Sequence, residues 1–196
     1  MVSNRRIGAE DSKSRTALLD ATEQIMLEEG YAAVSSRRVA QRANLKPQLV
    51  HYYFRTMDDL FLAAFRRRAE VGLDHLSRAL TSGSSLRTLW AFGDDPTSTA
   101  LNMEFVALAN HRKSIRSEIA RYGELFRAKQ TEVLASEMGV QGIDTERFPP
   151  VAVMTVMTSV SQILVLEEAL GMTIGHAETR ALVARLLDDY VRDGTP

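Results

Sequence analysis

The 196-residue chain has no cysteine, so disulfides and thiolate metal sites are excluded. It has no glycine-rich phosphate loop, no G-x-S-x-G and no H-E-x-x-H. Its four histidines, at 51, 75, 111 and 176, are scattered without ligand spacing, and no metal site is expected. The acidic pairs Glu167-Glu168 and Asp188-Asp189 point two ways around a helix and read as solvated. No catalytic residue and no cofactor is expected. The most apolar run, Val151 to Leu166, is interrupted by Thr155, Thr158, Ser159, Ser161 and Gln162. At sixteen residues it is short for a bilayer span and reads as a buried helix, so no membrane partner is expected. The first residues, M-V-S-N-R-R-I-G-A-E-D, are polar and carry no apolar signal segment, which predicts a cytoplasmic protein.

Composition is otherwise ordinary for a globular chain, with 45% hydrophobic and 25% charged residues. The charge is unevenly placed. Residues 1–68 carry 12 Lys+Arg against 8 Asp+Glu, and residues 69–196 carry 12 against 17. A head of +4 on a remainder of −5 points weakly to an anionic partner at the N-terminal end.

No window alternates as a strand would, and nearly every segment has helical period. The expected fold is all-α with about nine helices. The first spans 14–29 and ends at Gly30. The second spans 36–43 with Ser35 as its cap, and Asn44 takes a tight left-handed turn. The third spans 47–53, with Pro47 in its first turn. Thr56, Asp58 and Asp59 open a long fourth helix that reaches Leu80. Further helices follow at 86–92, 96–111, 114–138, 150–170 and 177–191. The residues around Arg66-Arg67-Arg68 read as a solvated face.

The second and third helices are each about two turns long and joined by A-N-L. That is helix–turn–helix geometry, with the second member free to enter a major groove. Period turns Val39, Ala40, Ala43, Leu45, Val50 and Phe54 inward. It leaves Lys46, Gln48, Leu49, His51, Tyr52 and Tyr53 near the other side. Gln48 suits an adenine edge and Leu49 a thymine methyl. Lys46, Tyr52 and Tyr53 suit phosphates, which fix register without reading sequence. Ser36 and Arg37, at the start of the second helix, suit a backbone phosphate. His51 suits a base, a phosphate or plain solvent. For Tyr53, packing back towards the first helix is the competing expectation.

Residues 35–60, S-S-R-R-V-A-Q-R-A-N-L-K-P-Q-L-V-H-Y-Y-F-R-T-M-D-D-L, resemble the signature of the TetR family of bacterial repressors. The resemblance covers about residues 14–65. Three positions depart from the pattern. Asn44 stands where Gly is usual, Lys46 where a capping Ser is usual, and Met57 where Lys follows. The change at Met57 removes one expected phosphate contact, and Lys46, Pro47 and Gln48 make the operator sequence unpredictable.

The resemblance implies a DNA-binding domain at 1–55 and a helical ligand-binding and dimerisation domain at 56–196. It implies a homodimer on a double-stranded, pseudo-palindromic operator, released by a small-molecule effector. The apolar helices at 150–170 and 177–191 fit a four-helix interface between two subunits. Trp90, Phe92, Leu101, Met103, Phe105, Tyr122, Phe126, Met154 and Met157 are the candidates for a largely apolar pocket, with Gln162 as an orienting group. Asn102, Glu104 and Asn110 are further polar groups expected near it. Any one of the apolar residues serves equally well as plain core.

Overall fold

The computed structural model describes residues 12–80, 85–93 and 95–193. Among them are nine α-helices: α1 Lys13–Glu29, α2 Ser36–Arg42, α3 Pro47–Tyr53, α4 Met57–Leu80, α5 Ser85–Gly93, α6 Pro96–Ala109, α7 Lys113–Val140, α8 Pro150–Ala169 and α9 His176–Asp193. A single 3-10 turn, Tyr31–Ala33, stands between α1 and α2 and was not expected. The all-α architecture agrees with the sequence reading, and the helix ends fall within a few residues of those expected.

Local chemistry explains those ends. The Arg15 N–H donates to the Ser12 hydroxyl at 3.2 Å and starts α1. Gly30 ends it with φ of +82°, a left-handed backbone that costs other residues strain. The Arg38 N–H donates to Ser35 Oγ, capping α2 as expected. Asn44 takes φ of +53°, the expected left-handed turn between α2 and α3. At α4 the cap is reciprocal. The Asp59 N–H donates to Thr56 Oγ1 at 3.1 Å, and the Thr56 N–H donates to Asp59 Oδ2 at 3.0 Å. Asp95 accepts from the Thr97 and Ser98 N–H groups and so starts α6 behind Pro96.

The chain divides into two compact units. One comprises Met1–Val71 with Ala100–Arg121, the other Gly72–Thr99 with Tyr122–Pro196. The expected functional boundary at 55/56 lies inside the first unit, in the turn between α3 and α4.

In the first unit α1 buries Leu18, Leu19, Ala21, Thr22, Ile25 and Met26. Val39, Ala40, Val50 and Phe54 are buried as the helical period requires. From α4, Leu60, Phe61, Ala64 and Phe65 are buried, and the Phe65 ring meets Phe105 of α6 edge-on at 5.3 Å. Arg112 pairs with Asp58 at the start of α4 and lies over the Phe61 ring.

In the second unit Leu76, Leu86, Leu89, Leu134, Met138, Met154 and Leu187 form an apolar cluster. Trp90, Phe126, Met157 and Val183 pack around it, half-buried. Gly72 has a packing role: a Cβ there would stand 3.0 Å from the Phe126 ring, so the ring's approach needs a bare backbone. The expected burial of the most apolar helix is not met within one chain. On α8 only Met154, Ser161, Leu164 and Val165 are buried. Val151, Val156 and Ile163 are exposed, as are Leu182 and Leu186 on α9. By length and composition alone α8 is also long and apolar enough to cross a membrane.

Candidate nucleic-acid interface

The candidate interface is built by α2, the Asn44 turn and α3. Two seven-residue helices can cross at so tight a turn only because Asn44 reverses the backbone in its left-handed conformation. The apolar residues then meet: Val39, Ala40 and Val50 are at most 1% exposed. Gln48, His51 and Tyr52 of α3 are left outside.

Lys46 is the residue before α3, Pro47 is its first, and both are exposed. Lys46 makes no side-chain cap, so its ammonium is not used by the helix, as its departure from the usual Ser implies. Gln48, His51 and Tyr52 are exposed, Tyr52 at 51%. Leu49 and Tyr53 are half-buried. The Tyr52 and Tyr53 rings meet edge-on at 5.0 Å. Tyr53 also leans on Phe54, which is buried beneath the Arg15 guanidinium. Tyr53 thus supports the outward ring of Tyr52. On α2, Ser36 is half-buried as the first helical residue and Arg37 is exposed.

The arginines of α2 are not equivalent, which the sequence did not disclose. Arg38 pairs with Glu29, and Arg42 with Glu28 at 2.7 Å and Glu29 at 3.5 Å. The Arg42 hydrogen bond holds the Glu28 carboxyl below its ordinary range, and Glu28 in turn raises Arg42. Arg37, Lys46 and Arg55 engage no carboxylate among the described residues. The free positive charge is therefore Arg37 before the turn, Lys46 in it and Arg55 beyond α3. Arg67 is also occupied, by Asp20 and Glu23 at 2.6 Å each. With Arg66 held by Glu118, two of the three arginines of the triplet are paired, and Arg67 and Arg68 are half-buried, so only Arg66 is exposed as a solvated face requires.

The family profile of bacterial regulatory proteins, tetR family, matches residues 18–64, which span α1 to the first turns of α4. These residues match the DNA-binding domain of the TetR family. The fold extends the likeness to the rest of the chain. A Rhodococcus sp. protein assigned to TetR-family transcriptional regulators superposes with a TM-score of 0.74 at 18% identity, covering 91% of this chain and 99% of that one. A TetR transcription regulator from Haloarcula marismortui ATCC 43049 superposes at 0.70 and 18%, covering 90% and 95%. The Bacillus subtilis regulator FadR in complex with stearoyl-CoA superposes at 0.64 and 13%, covering 88% and 96%. No curated protein matches the sequence. The chain thus carries a segment that matches the TetR-family DNA-binding domain, and its fold is that of TetR-family transcriptional regulators.

The residues expected to hold a ligand are spread through both units. Leu101 and Phe105 are buried in the first, and Met103 is exposed there. Tyr122 and Met154 are buried in the second, where Trp90, Phe126 and Met157 pack on the apolar cluster. Gln162 is exposed. The Phe92 side chain lies outside the described part of the structure. Two of the shallow indentations among the described residues measure about 370 and 390 Å³. One is lined by Ile25, Glu29, Arg38, Gln41 and Arg42, the other by Glu132, Val133, Ser136, Glu137 and Val140, and none of the ten expected residues lines either.

Proposed function

We propose that this TetR-family chain is a cytoplasmic repressor that binds a pseudo-palindromic operator as a homodimer and leaves it when a small, largely apolar ligand binds. One observation carries the DNA reading. The face of α3 exposes Gln48, His51 and Tyr52, flanked by the unpaired cations Arg37 and Lys46, on a helix of the dimensions that enter a major groove. Gln48 and Leu49 read base edges. Ser36, Arg37, Lys46, Pro47, Tyr52 and Tyr53 hold the backbone, and His51 stands between the two roles.

The dimer reading is supported by α8 and α9, which expose Val156, Ile163, Leu182 and Leu186. A second copy offers these side chains the burial that a single chain does not. A two-fold dimer presents α3 twice, at one turn of DNA, which requires an inverted repeat.

The ligand reading rests on the second unit's Trp90, Phe126, Met154 and Met157, soft and aromatic side chains that can part around an apolar molecule. Among proteins of this fold, the one from Saccharomonospora viridis was solved with choline and the Bacillus subtilis FadR with stearoyl-CoA. Ligand shifts the dimer between two states, and operator affinity falls only by the difference in ligand affinity between them.

The decisive experiment selects genomic fragments with the purified protein and titrates the enriched ones by anisotropy at two salt concentrations. An inverted repeat should emerge, bound with an affinity that falls steeply as salt rises, because Lys and Arg release counterions from phosphate. No enrichment at low salt would remove the apo-repressor reading and favour a co-repressor or a helical adaptor.

A further inference from the structure

Glu104 breaks the pattern of α6. It stands three residues after Leu101 and four before Leu108, each 1% exposed, so it shares their inward face. A carboxylate on such a face is costly without a partner, and Glu104 meets no cation among the described residues. Its partner is a backbone group. The Tyr31 N–H donates to Glu104 Oε2 at 2.6 Å, across 73 positions of sequence. Tyr31 opens the 3-10 turn, so this N–H has no acceptor of its own in the turn. The same carboxylate faces Gly30, where a Cβ would stand 3.5 Å from Oε2.

The turn held in this way is the corner from which α2 departs. Ala33 and Val34 lead directly to Ser35, the cap of α2, and then to Ser36 and Arg37. The position of that corner sets where the first turn of α2 lies. We infer that Glu104 is a positioning residue of the DNA interface: it fixes the Gly30–Val34 corner so that α2 delivers Ser36 and Arg37 to phosphate, and it makes α6 respond to DNA. This rests on the proposed DNA-binding reading. Coupling is reciprocal, so a contact that helps α2 bind DNA must itself be tightened when DNA binds.

The test uses the full-length protein and the double-stranded fragment it enriches from genomic DNA. Glu104→Ala should weaken binding about tenfold, in the range of a lost hydrogen bond to a charged acceptor. Glu104→Gln, which keeps an acceptor, should stay within about threefold of the parent. Amide exchange supplies the readout that a merely structural residue would not move. In the parent, saturating DNA should slow exchange at Tyr31 and at residues 101–109, and in Glu104→Ala the slowing at 101–109 should disappear. Equal affinity of parent and Ala variant overturns the inference and leaves the DNA-binding reading intact. So does unchanged exchange at 101–109 in the DNA-bound parent, a result that holds even if the Ala variant fails to fold. If no fragment binds the parent at all, the DNA-binding reading falls and the inference with it.

Discussion

Helices α3 and α8 both expose what a lone chain would rather cover, but the exposed chemistry is of opposite kinds. α3 shows an amide, an imidazole and a phenol beside cations that pair with no carboxylate among the described residues, groups that bind without leaving water entirely. α8 shows Val151, Val156 and Ile163, which gain only by leaving water. The first face suits a hydrated polyanion and the second suits another apolar protein surface. The contrast teaches that exposure alone does not identify a partner; the chemistry of what is exposed does.

The contrast breaks most visibly at α8 and α9. Val156→Glu combined with Leu186→Glu places unpartnered charge on the apolar face. The parent should sediment at about twice its 21.8 kDa chain mass and the variant at that mass. Operator affinity should fall roughly a hundredfold, because two linked recognition helices become two independent ones. A parent that sediments as a monomer would remove the dimer reading.

On α3 the expected effect is smaller and has a different signature. Gln48→Ala should lose preference at one or a few base pairs, by roughly 1–3 kcal/mol each, seen by titrating single-base operator variants. Tyr52→Ala should weaken all sequences alike, because phosphates carry no sequence. If Gln48→Ala weakens every variant equally, Gln48 is a backbone contact.

Within α2 the comparison narrows to neighbouring arginines. Arg37→Ala should lower the slope of log affinity against log salt by about one, the mark of one phosphate contact. Arg38→Ala should leave that slope almost unchanged, since Arg38 already pairs with Glu29. Equal slopes for the two variants would mean that the ion pair opens on DNA.

These cases also show how much was legible beforehand. Helix ends were readable because their causes are local: Gly30, Ser35, Asn44, Pro47 and Thr56 each act within four residues. The outward face of α3 was readable because two short helices leave period little freedom. The pairing of Arg38 and Arg42 depends on where α1 ends in space, and no local signal announces it. The Glu104–Tyr31 bond spans 73 positions, and its one trace in the sequence is an acid on the apolar face of α6. For Met154, core and pocket wall share one periodicity, so the sequence could not separate them. On α8 the exposed and buried sides were not separable in the sequence, because an apolar helix reads the same whether its cover comes from its own chain or from a second copy.

The smallest contrast is in the response to acid. Both units tie helices through charge, Arg180 to Glu168 at 2.6 Å in the second, but the stronger carboxylate shift is in the first, where Glu118 of α7 is flanked by Arg121, at 2.9 Å, and by Arg66 of α4. The hydrogen bonds from Arg121 and then Arg66 hold the Glu118 carboxyl down at about 2, against an ordinary 4.5. A carboxylate lowered on folding stabilises the fold above its unfolded value, and that contribution fades as pH falls from about 4.5 towards 2. Both guanidiniums are 51% exposed, so water screens the pair and its contribution is about 0.5–1 kcal/mol. Glu118→Gln should therefore lower the urea midpoint slightly at pH 7, and the difference from the parent should close as pH approaches 2 to 3. A difference that persists undiminished at pH 2.5 would mean that Glu118 acts by packing rather than by charge.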